Sequence, residues 1–415
     1  MTPECTLQAA NQVLARADAL ARHTDVPGEL TCTCLGRAHL AVADQLAAWM
    51  REAGFDTVHI DAIGNVVGRY LARPGHASSE RLATGSHYDT VRNGGKYDGR
   101  LGILMGIGLV AELAQRGQRL RHDLEVVAFS DEEGVRFGST FLGSSAYAGR
   151  FDPALLERAD AQGVTLRTAL VEAGRDPAAI ARAGVERPLA HYFEIHIEQG
   201  PVLLNLDVPV GVVTAIAGSV RRRLTITGQA SHAGTTPMHL RRDAACAAAE
   251  IALYVESRCS GVAGLVGTVG QLEVPGGSVN VVPGACHLSL DVRAAEDTLR
   301  DAALADIEAS IARICEKRAV TWQSQELLRA PAVACEAAGR SAWREAIAHR
   351  HLPVHELLSG AGHDAMMIAA IAPVSMLFVR CGAGGISHNP LETVEVRDVA
   401  AAFGVAHAFL TARHA

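Results

Sequence analysis

The chain has 415 residues, 49% of them hydrophobic, and a formal net charge of −7, which describes a soluble globular protein long enough for two domains and excludes a fibre or a disordered polymer. Charge is spread along the sequence, and the short basic run Arg221–Arg223 leaves no footprint for nucleic acid. The N-terminal twenty residues have no basic leader ahead of an apolar core, and no run approaches the ~20 apolar residues of a membrane helix; the expectation is a cytoplasmic protein without membrane contact, acting on a small molecule. Nine cysteines are scattered from Cys5 to Cys381 without zinc-ribbon spacing and are expected as reduced thiols. A redox or metal role for Cys32 and Cys34 is the minority reading, because their spacing is short for a structural zinc site and no further ligands cluster near them.

From residue 81 to about 210, short apolar runs end in polar chemistry and are followed by helical stretches, the pattern of a mostly parallel sheet with crossover helices. Leu82 to Gly85 leads to His87, Leu124 to Phe129 leads to Glu132 and Glu133, and Phe193 to Ile195 leads to His196. Much later, Val374 to Val379 precedes the loop that holds His388. Open α/β sheets bind ligands at the carboxyl ends of their strands, so four segments obey one rule. After Asp98, a helix is expected from Leu101 to Leu113, with Gly102 and Gly106 allowing close packing on the sheet.

Between about 214 and 328 the rhythm changes to strand 219–230, helix 241–258, strand 265–274, strand 285–294, helix 297–318 and strand 320–328. This β-α-β-β-α-β order is ferredoxin-like. Because Glu132 and His388 lie on opposite sides of it, the expectation is an inserted domain, 214–328, with 1–213 and 329–415 folding together around one site. The alanine-rich helix AACAAAEIALYV could make a close helix or subunit contact, although packing on its own sheet is the simpler reading.

Five stretches, GSHYDT, GGKYDG, SDEEG, EIHIEQG and GISHNP, carry His87, Asp98, the pair Glu132–Glu133, His196 and His388. Imidazole and carboxylate are the ligands that borderline divalent ions take, and one carboxylate can bridge two ions about 3.5–4 Å apart. With eighteen histidines in the chain, most are ordinary, and local context must select the ligands. His87 is followed two residues on by Asp89, which can accept the distal ring proton and fix the ligating tautomer. Taken alone, His196 reads equally well as a buried histidine satisfied by a backbone carbonyl, and His388 gains only from the glycines before it. Adjacent carboxylates at a strand end point in different directions. Glu132 is therefore expected as the general base and Glu133 as a metal ligand; a solvated acidic turn is the bland alternative, and an exchange of the two roles the more serious one.

The combination GSHYDTVRNGGKYDG, SDEEGVRFGS, HIEQGPVL, SHAGTTPM, SVNVVPG, SGAGHDA and GGISHNP, between about residues 30 and 410, resembles the hydantoinase/carbamoylase-type amidases of the dinuclear metallopeptidase superfamily. Their nearest kin are N-carbamoyl-L-amino-acid hydrolases, allantoate amidohydrolases and β-ureidopropionases. The resemblance implies two divalent ions, with His87, Asp98 as the bridge, Glu133, His196 and His388 as ligands and Glu132 as the base. Zinc is the first expectation, with manganese, cobalt and nickel accepted by the same donors. It further implies that Asn280 and Arg293 hold the substrate carboxylate, Arg through its planar fork, where an exposed strand arginine would be the bland reading. It implies that His232 reaches the active site of a partner subunit to polarise the scissile carbonyl, and that Gln199 and His363 complete the pocket. The inserted domain would then be both lid and dimer interface.

The expected activity is hydrolysis of the carbamoyl C–N bond of an N-carbamoyl-L-amino acid or similar ureido carboxylate, releasing ammonia and CO2. Allantoate amidohydrolase is the alternative substrate reading, since both substrates present a ureido group and a carboxylate. A metallopeptidase is a third, against which Asn280, Arg293 and the GAGHDA set argue. A catalytically silent metal-binding homologue is the reading from another class, and the intact base and ligands argue against it.

Overall fold

Four strands buried on both faces form the centre of the main sheet in the computed structural model, which describes residues 1–75, 80–184 and 188–414. In chain order the strands of the first part are β1 (Thr57–Ile60), β2 (Val66–Tyr70), β3 (Arg81–His87), β4 (Asp123–Phe129), β5 (Leu189–Ile197) and β6 (Val210–Ile216). A second group follows: β7 (Gly218–Thr227), β8 (Ser231–His232), β9 (Leu265–Thr268), β10 (Leu272–Glu273), β11 (Val281–Val282), β12 (Ala285–Ala294), β13 (Thr321–Ala330) and β14 (Val333–Ala334). The chain ends with β15 (Glu356–Ser359) and β16 (Val374–Val379).

The main sheet runs β1-β2-β4-β3-β5-β16-β6-β14, with β15 also paired to β6. Its four central strands, β4, β3, β5 and β16, are mutually parallel, whereas β1, β2 and β6 join antiparallel. Near-continuous apolar runs suit the centre because crossover helices cover both faces. Parallel register puts the chemistry at one end: His87 is level with Phe129, and His196 with Phe378. The helices Pro3–Leu20, Arg37–Glu52, Arg100–Gln115, Ala337–His349 and Val396–His414 contribute to one core, in which Trp343 stacks on Phe409 at 3.9 Å. Among the described residues no helix is long and apolar enough to cross a membrane.

The chain divides into two compact units, Met1–Thr214 with Cys335–Leu357 and Gly362–Ala415, and Ala215–Ala334 with Leu358–Ala361. The expected insertion of 214–328 is therefore short by two segments, 329–334 and 358–361. Hydrogen bonds hold both: β14 pairs with Ala215 and Ile216, Ala217 N–H donates to the Ser359 carbonyl at 2.9 Å, and Arg293 Nη1 donates to the Gly360 carbonyl at 2.6 Å. Pieces this short have no periodicity to read. In the second unit β13, β7, β12 and β9 lie in that order with antiparallel neighbours, and the helices Ala244–Cys259 and Asp297–Lys317 share one core with the sheet. The expected strand 265–274 is broken into β9 and β10, because Gln271 leaves the regular ladder and accepts from Ser289 N–H while its own N–H donates to Ser289 Oγ at 2.9 Å. The pair β8–β11 was not anticipated and carries His232 opposite Val281.

Close approach of the helix Arg100–Gln115 to β5 depends on Gly102, where an added Cβ would sit 2.1 Å from the Ile195 carbonyl oxygen. Overpacking of this kind costs typically about 1–3 kcal/mol. Gly102→Ala should therefore lower the unfolding free energy of the metal-free protein by an amount in that range, read in urea as a lower midpoint at unchanged slope; an unchanged midpoint would contradict this packing.

Candidate metal centre

His87, at the end of β3, turns Nδ1 toward Asp89, with 3.2 Å to its carbonyl and 3.3 Å to Oδ1. A ring that donates through Nδ1 keeps an Nε2 lone pair, and here Nε2 faces Asp98 Oδ1 at 3.6 Å. His196 on β5 follows the same rule. Its Nδ1 lies 2.9 Å from the Ile197 carbonyl, while Nε2 is 3.4 Å from Asp98 Oδ1. The backbone-satisfied histidine and the ligand, which the sequence left as alternatives, are thus compatible in one ring. His388 Nε2 lies 3.2 Å from Asp98 Oδ2 and 3.3 Å from Glu133 Oε1. Asp98 so presents one oxygen to His87 and His196 and the other to His388. Three groups of donor atoms each converge within 4.8 Å: His87, Asp98 and His196; Asp98, Glu133 and His388; and His87, Glu132 and Glu133.

Asp89 organises the neighbouring loop as well as His87. Its Oδ1 accepts the Glu132 N–H at 3.1 Å and its Oδ2 the Glu133 N–H at 3.2 Å. His363 is buried, its ring meeting that of His196 edge-on at 4.5 Å, and it shares a further cluster with Glu194 and His196. Gln199 was expected to line the substrate pocket. Its Nε2 donates to both Asp98 oxygens at 3.1 Å, from a residue with a positive φ of 56°.

The electrostatics of the cluster are divided. Burial pushes His196 down to about 4 and His363 well below its usual range. Burial opposes the charged form of His87 too, but the Asp89 and Asp98 carboxylates outweigh it and raise the ring well above its ordinary value. Hydrogen bonding to Asp98 and Glu133 raises His388 to about 10. Protons on two rings therefore neutralise carboxylates where divalent cations would do so, and the donor set of imidazoles and carboxylates fits such ions. Glu132 is pushed well above the carboxylate range by burial, with the adjacent Glu133 adding to the shift.

In the second unit, His232 is exposed, and its Nδ1 accepts the N–H groups of Gly234 and Thr235 at 3.0 and 3.2 Å. In the neutral ring the proton then sits on Nε2, which becomes a donor. Asn280 adjoins this ladder, its carbonyl accepting from Ala233 N–H at 2.9 Å and its Oδ1 from Ser278 Oγ at 2.9 Å. Arg293 forks onto Asp291 through Nε and Nη2, each at 2.9 Å. Cys32 and Cys34 are buried free thiols; burial raises Cys32 to about 12 and Cys34 well above its usual value.

Two buried acids escaped the sequence reading. Glu194 accepts from Ser86 Oγ at 2.9 Å, Tyr192 Oη at 3.2 Å and the Ala365 N–H at 3.0 Å, joining the segments that carry His87, His196 and His363. Its position two residues before His196 on a strand, hence on the same face, was the available signal. Glu392, four residues beyond His388, accepts the N–H of Asp98 at 3.2 Å.

Residues 83–412 match the family described as Peptidase family M20/M25/M40. The chain belongs to that family. Among M20 relatives, a probable allantoate deiminase of Oryza sativa subsp. japonica is 38% identical over 426 residues, covering 94% of this chain and 86% of that protein. An N-carbamoyl-L-amino acid amidohydrolase of Geobacillus stearothermophilus is 40% identical over 359 residues, with 86% and 87% covered. An amidase of the hydantoinase/carbamoylase family from Burkholderia multivorans has a crystal structure that superposes with a TM-score of 0.90 at 33% identity, covering 97% of each chain. The mixed α/β fold with a mostly parallel central sheet is thus that of the M20 amidases.

Metal binding should displace the protons on His87 and His388. Calorimetric titration of the metal-free protein near pH 7.5, in buffers of different ionisation enthalpy, is expected to show release of about two protons per chain; none released would mean that these rings are not ligands. Because the pKa of His388 is raised, its ion pairs stabilise the metal-free fold below about 6.5 and that contribution disappears as the pH rises through about 10.

Proposed function

We propose that this M20 hydrolase of carbon–nitrogen bonds cleaves the carbamoyl bond of an N-carbamoyl-L-amino acid or a similar ureido carboxylate, releasing ammonia and CO2. The observation that carries the reading is the placement of Glu132: a carboxyl tuned upward by burial, its backbone fixed by Asp89, beside a donor set centred on Asp98. A base that must take a proton and later return it works best with a pKa near the operating pH.

His87, Asp98, Glu133, His196 and His388 would hold two divalent ions, zinc or alternatively manganese, cobalt or nickel. Bound there, the ions would supply Lewis acidity, polarising the scissile oxygen and acidifying water. Glu132 takes the water proton and delivers it to the departing nitrogen. Arg293 and Asn280 bind the substrate carboxylate, and the His232 Nε2–H and His363 face the oxygen on which charge develops. His232 acts from a partner subunit in a homodimer, with the second unit serving as lid and interface. Large apolar side chains exposed in that unit, Met238, Leu240, Leu253 and Val279 among them, are consistent with a covered surface.

Allantoate is the second substrate reading. The allantoate deiminase relatives match over 94% of this chain, slightly more than the 86% of the Geobacillus carbamoylase, although the latter is the more identical. Ammonia release by metal-loaded enzyme from N-carbamoyl-L-amino acids, allantoate, ureidoglycolate, N-carbamoyl-β-alanine and a dipeptide separates the candidates. Turnover of carbamoyl amino acids supports the proposal, turnover confined to allantoate or ureidoglycolate transfers it to purine-nitrogen breakdown, and silence on every ureido compound overturns it. Glu132→Gln should lower kcat by about 10²–10⁴-fold with metal content unchanged; substantial residual activity would remove Glu132 from the role of base.

A further inference from the structure

The Glu392 side chain is buried, with 2% of its surface exposed, and sits in the loop beyond His388. Its Oε1 accepts the N–H groups of Tyr97 and Asp98 at 2.8 and 3.2 Å, and its Oε2 accepts the Ser387 hydroxyl at 2.8 Å. Ser387 Oγ in turn accepts from Gln199 Nε2 at 3.3 Å, and that nitrogen also donates to both oxygens of Asp98. The bonds close a ring: Asp98 main chain, Glu392, Ser387, Gln199, Asp98 side chain. We propose that Glu392 is a positioning residue of the metal centre, setting the orientation of Asp98 and tying the His388 loop to it.

Two further observations point the same way. Gln199 and His388 both hold positive φ, 56° and 55°, a conformation that non-glycine residues keep only where surrounding contacts over-determine it; the Glu392 ring supplies those contacts on either side. Gly95, in the GGKYDG stretch, lies against this carboxylate so closely that an added Cβ would be 2.2 Å from its Cδ. Glycine there is what lets Glu392 reach the Tyr97 and Asp98 amides. A plain loop anchor would need no such access.

The proposal rests on the reading of Asp98 and His388 as metal ligands, and the test separates the two. Metal affinity is measured by competition with a chromophoric chelator, and melting temperature with and without metal, for the wild-type chain and the variants Glu392→Ala, Glu392→Gln and Gly95→Ala. Loss of a group that orients ligands typically costs about 10–100-fold in metal affinity, and Glu392→Ala is expected to fall in that range. Glu392→Gln, which keeps an acceptor oxygen for the two amides, should recover part of the loss. Gly95→Ala should reproduce the defect with the carboxylate chemically intact. In each variant the melting increment given by metal should shrink more than the metal-free melting temperature falls. Unchanged affinity in Glu392→Ala, or equal losses of melting temperature with and without metal, would overturn the proposal and leave Glu392 a structural anchor. A wild-type chain that binds no divalent ion would overturn the metal reading itself, and this proposal with it.

Discussion

Asp98 places a fully buried carboxylate among three imidazoles, and most of the site follows from the need to satisfy it. An unpaired buried carboxylate is costly enough that it would take up a proton. Here the neighbouring cationic rings and hydrogen bonds hold Asp98 well below the usual carboxylate range despite its burial. The same attraction raises His87 and the more exposed His388, while burial outweighs the pull of Asp98 at His196 and His363 and lowers both. Nδ1 of both His87 and His196 is occupied by protein oxygen, so both Nε2 atoms are directed at the same Asp98 oxygen, and a cation bound there would displace the proton from His87. The second carboxylate oxygen is left to His388. This asymmetric division of one carboxylate between two sets of donors is what a bridging ligand requires, and it is set by the orientation of the rings rather than by the carboxylate alone.

The sheet makes that convergence inexpensive in conformational entropy. Parallel strands align their carboxyl ends, so β3, β5 and β16 bring His87, His196 and the His388 loop to one edge without long excursions. Asp98 comes from the turn before the helix Arg100–Gln115, and that helix packs on β5 at glycine distance. The acidic pair after β4 is positioned differently, through its backbone: Asp89 accepts one N–H from each residue. A single side chain thereby fixes a histidine tautomer and the heading of two carboxylates, which explains why two adjacent glutamates can hold distinct orientations.

What could be read from the sequence was local. His87, Glu132, Glu133 and His196 stand at the ends of apolar runs, and strand alternation or a two-residue spacing to Asp89 exposes each one's surroundings. His388 gained from the glycines before it, which mark places where backbone approaches something closely, and Asp98 as the bridge came from the family resemblance. Glu392 and Glu194 were not legible, because their partners lie far along the chain: Asp98 is separated from Glu392 by 294 residues and Ser86 from Glu194 by 108. Neither period nor turn chemistry encodes such a partner. The second unit shows the same limit. Its strand and helix order follows the hydrophobic pattern, but the break between β9 and β10 depends on a cross-strand hydroxyl, and the attachment of 358–361 depends on backbone bonds. At Gln199 the residue type suits a pocket wall, but the hydrogen bonds it makes to Asp98 could not be read from the sequence.

The groups proposed to meet the substrate are held by the same means as the candidate ligands. His232 accepts two backbone N–H groups on Nδ1, which forces the neutral ring to carry its proton on Nε2 and so to act as a donor toward a carbonyl; the opposite tautomer would leave two amides unmatched. Arg293 has its fork spread flat against Asp291, and Arg221 Nε shares that carboxylate at 3.0 Å. An arginine held in this way loses little rotamer freedom when a substrate carboxylate arrives, and fixing the group beforehand reduces the entropy cost of binding. Asp291 also sets the limit of that gain, because a second carboxylate must share a guanidinium already neutralised in part.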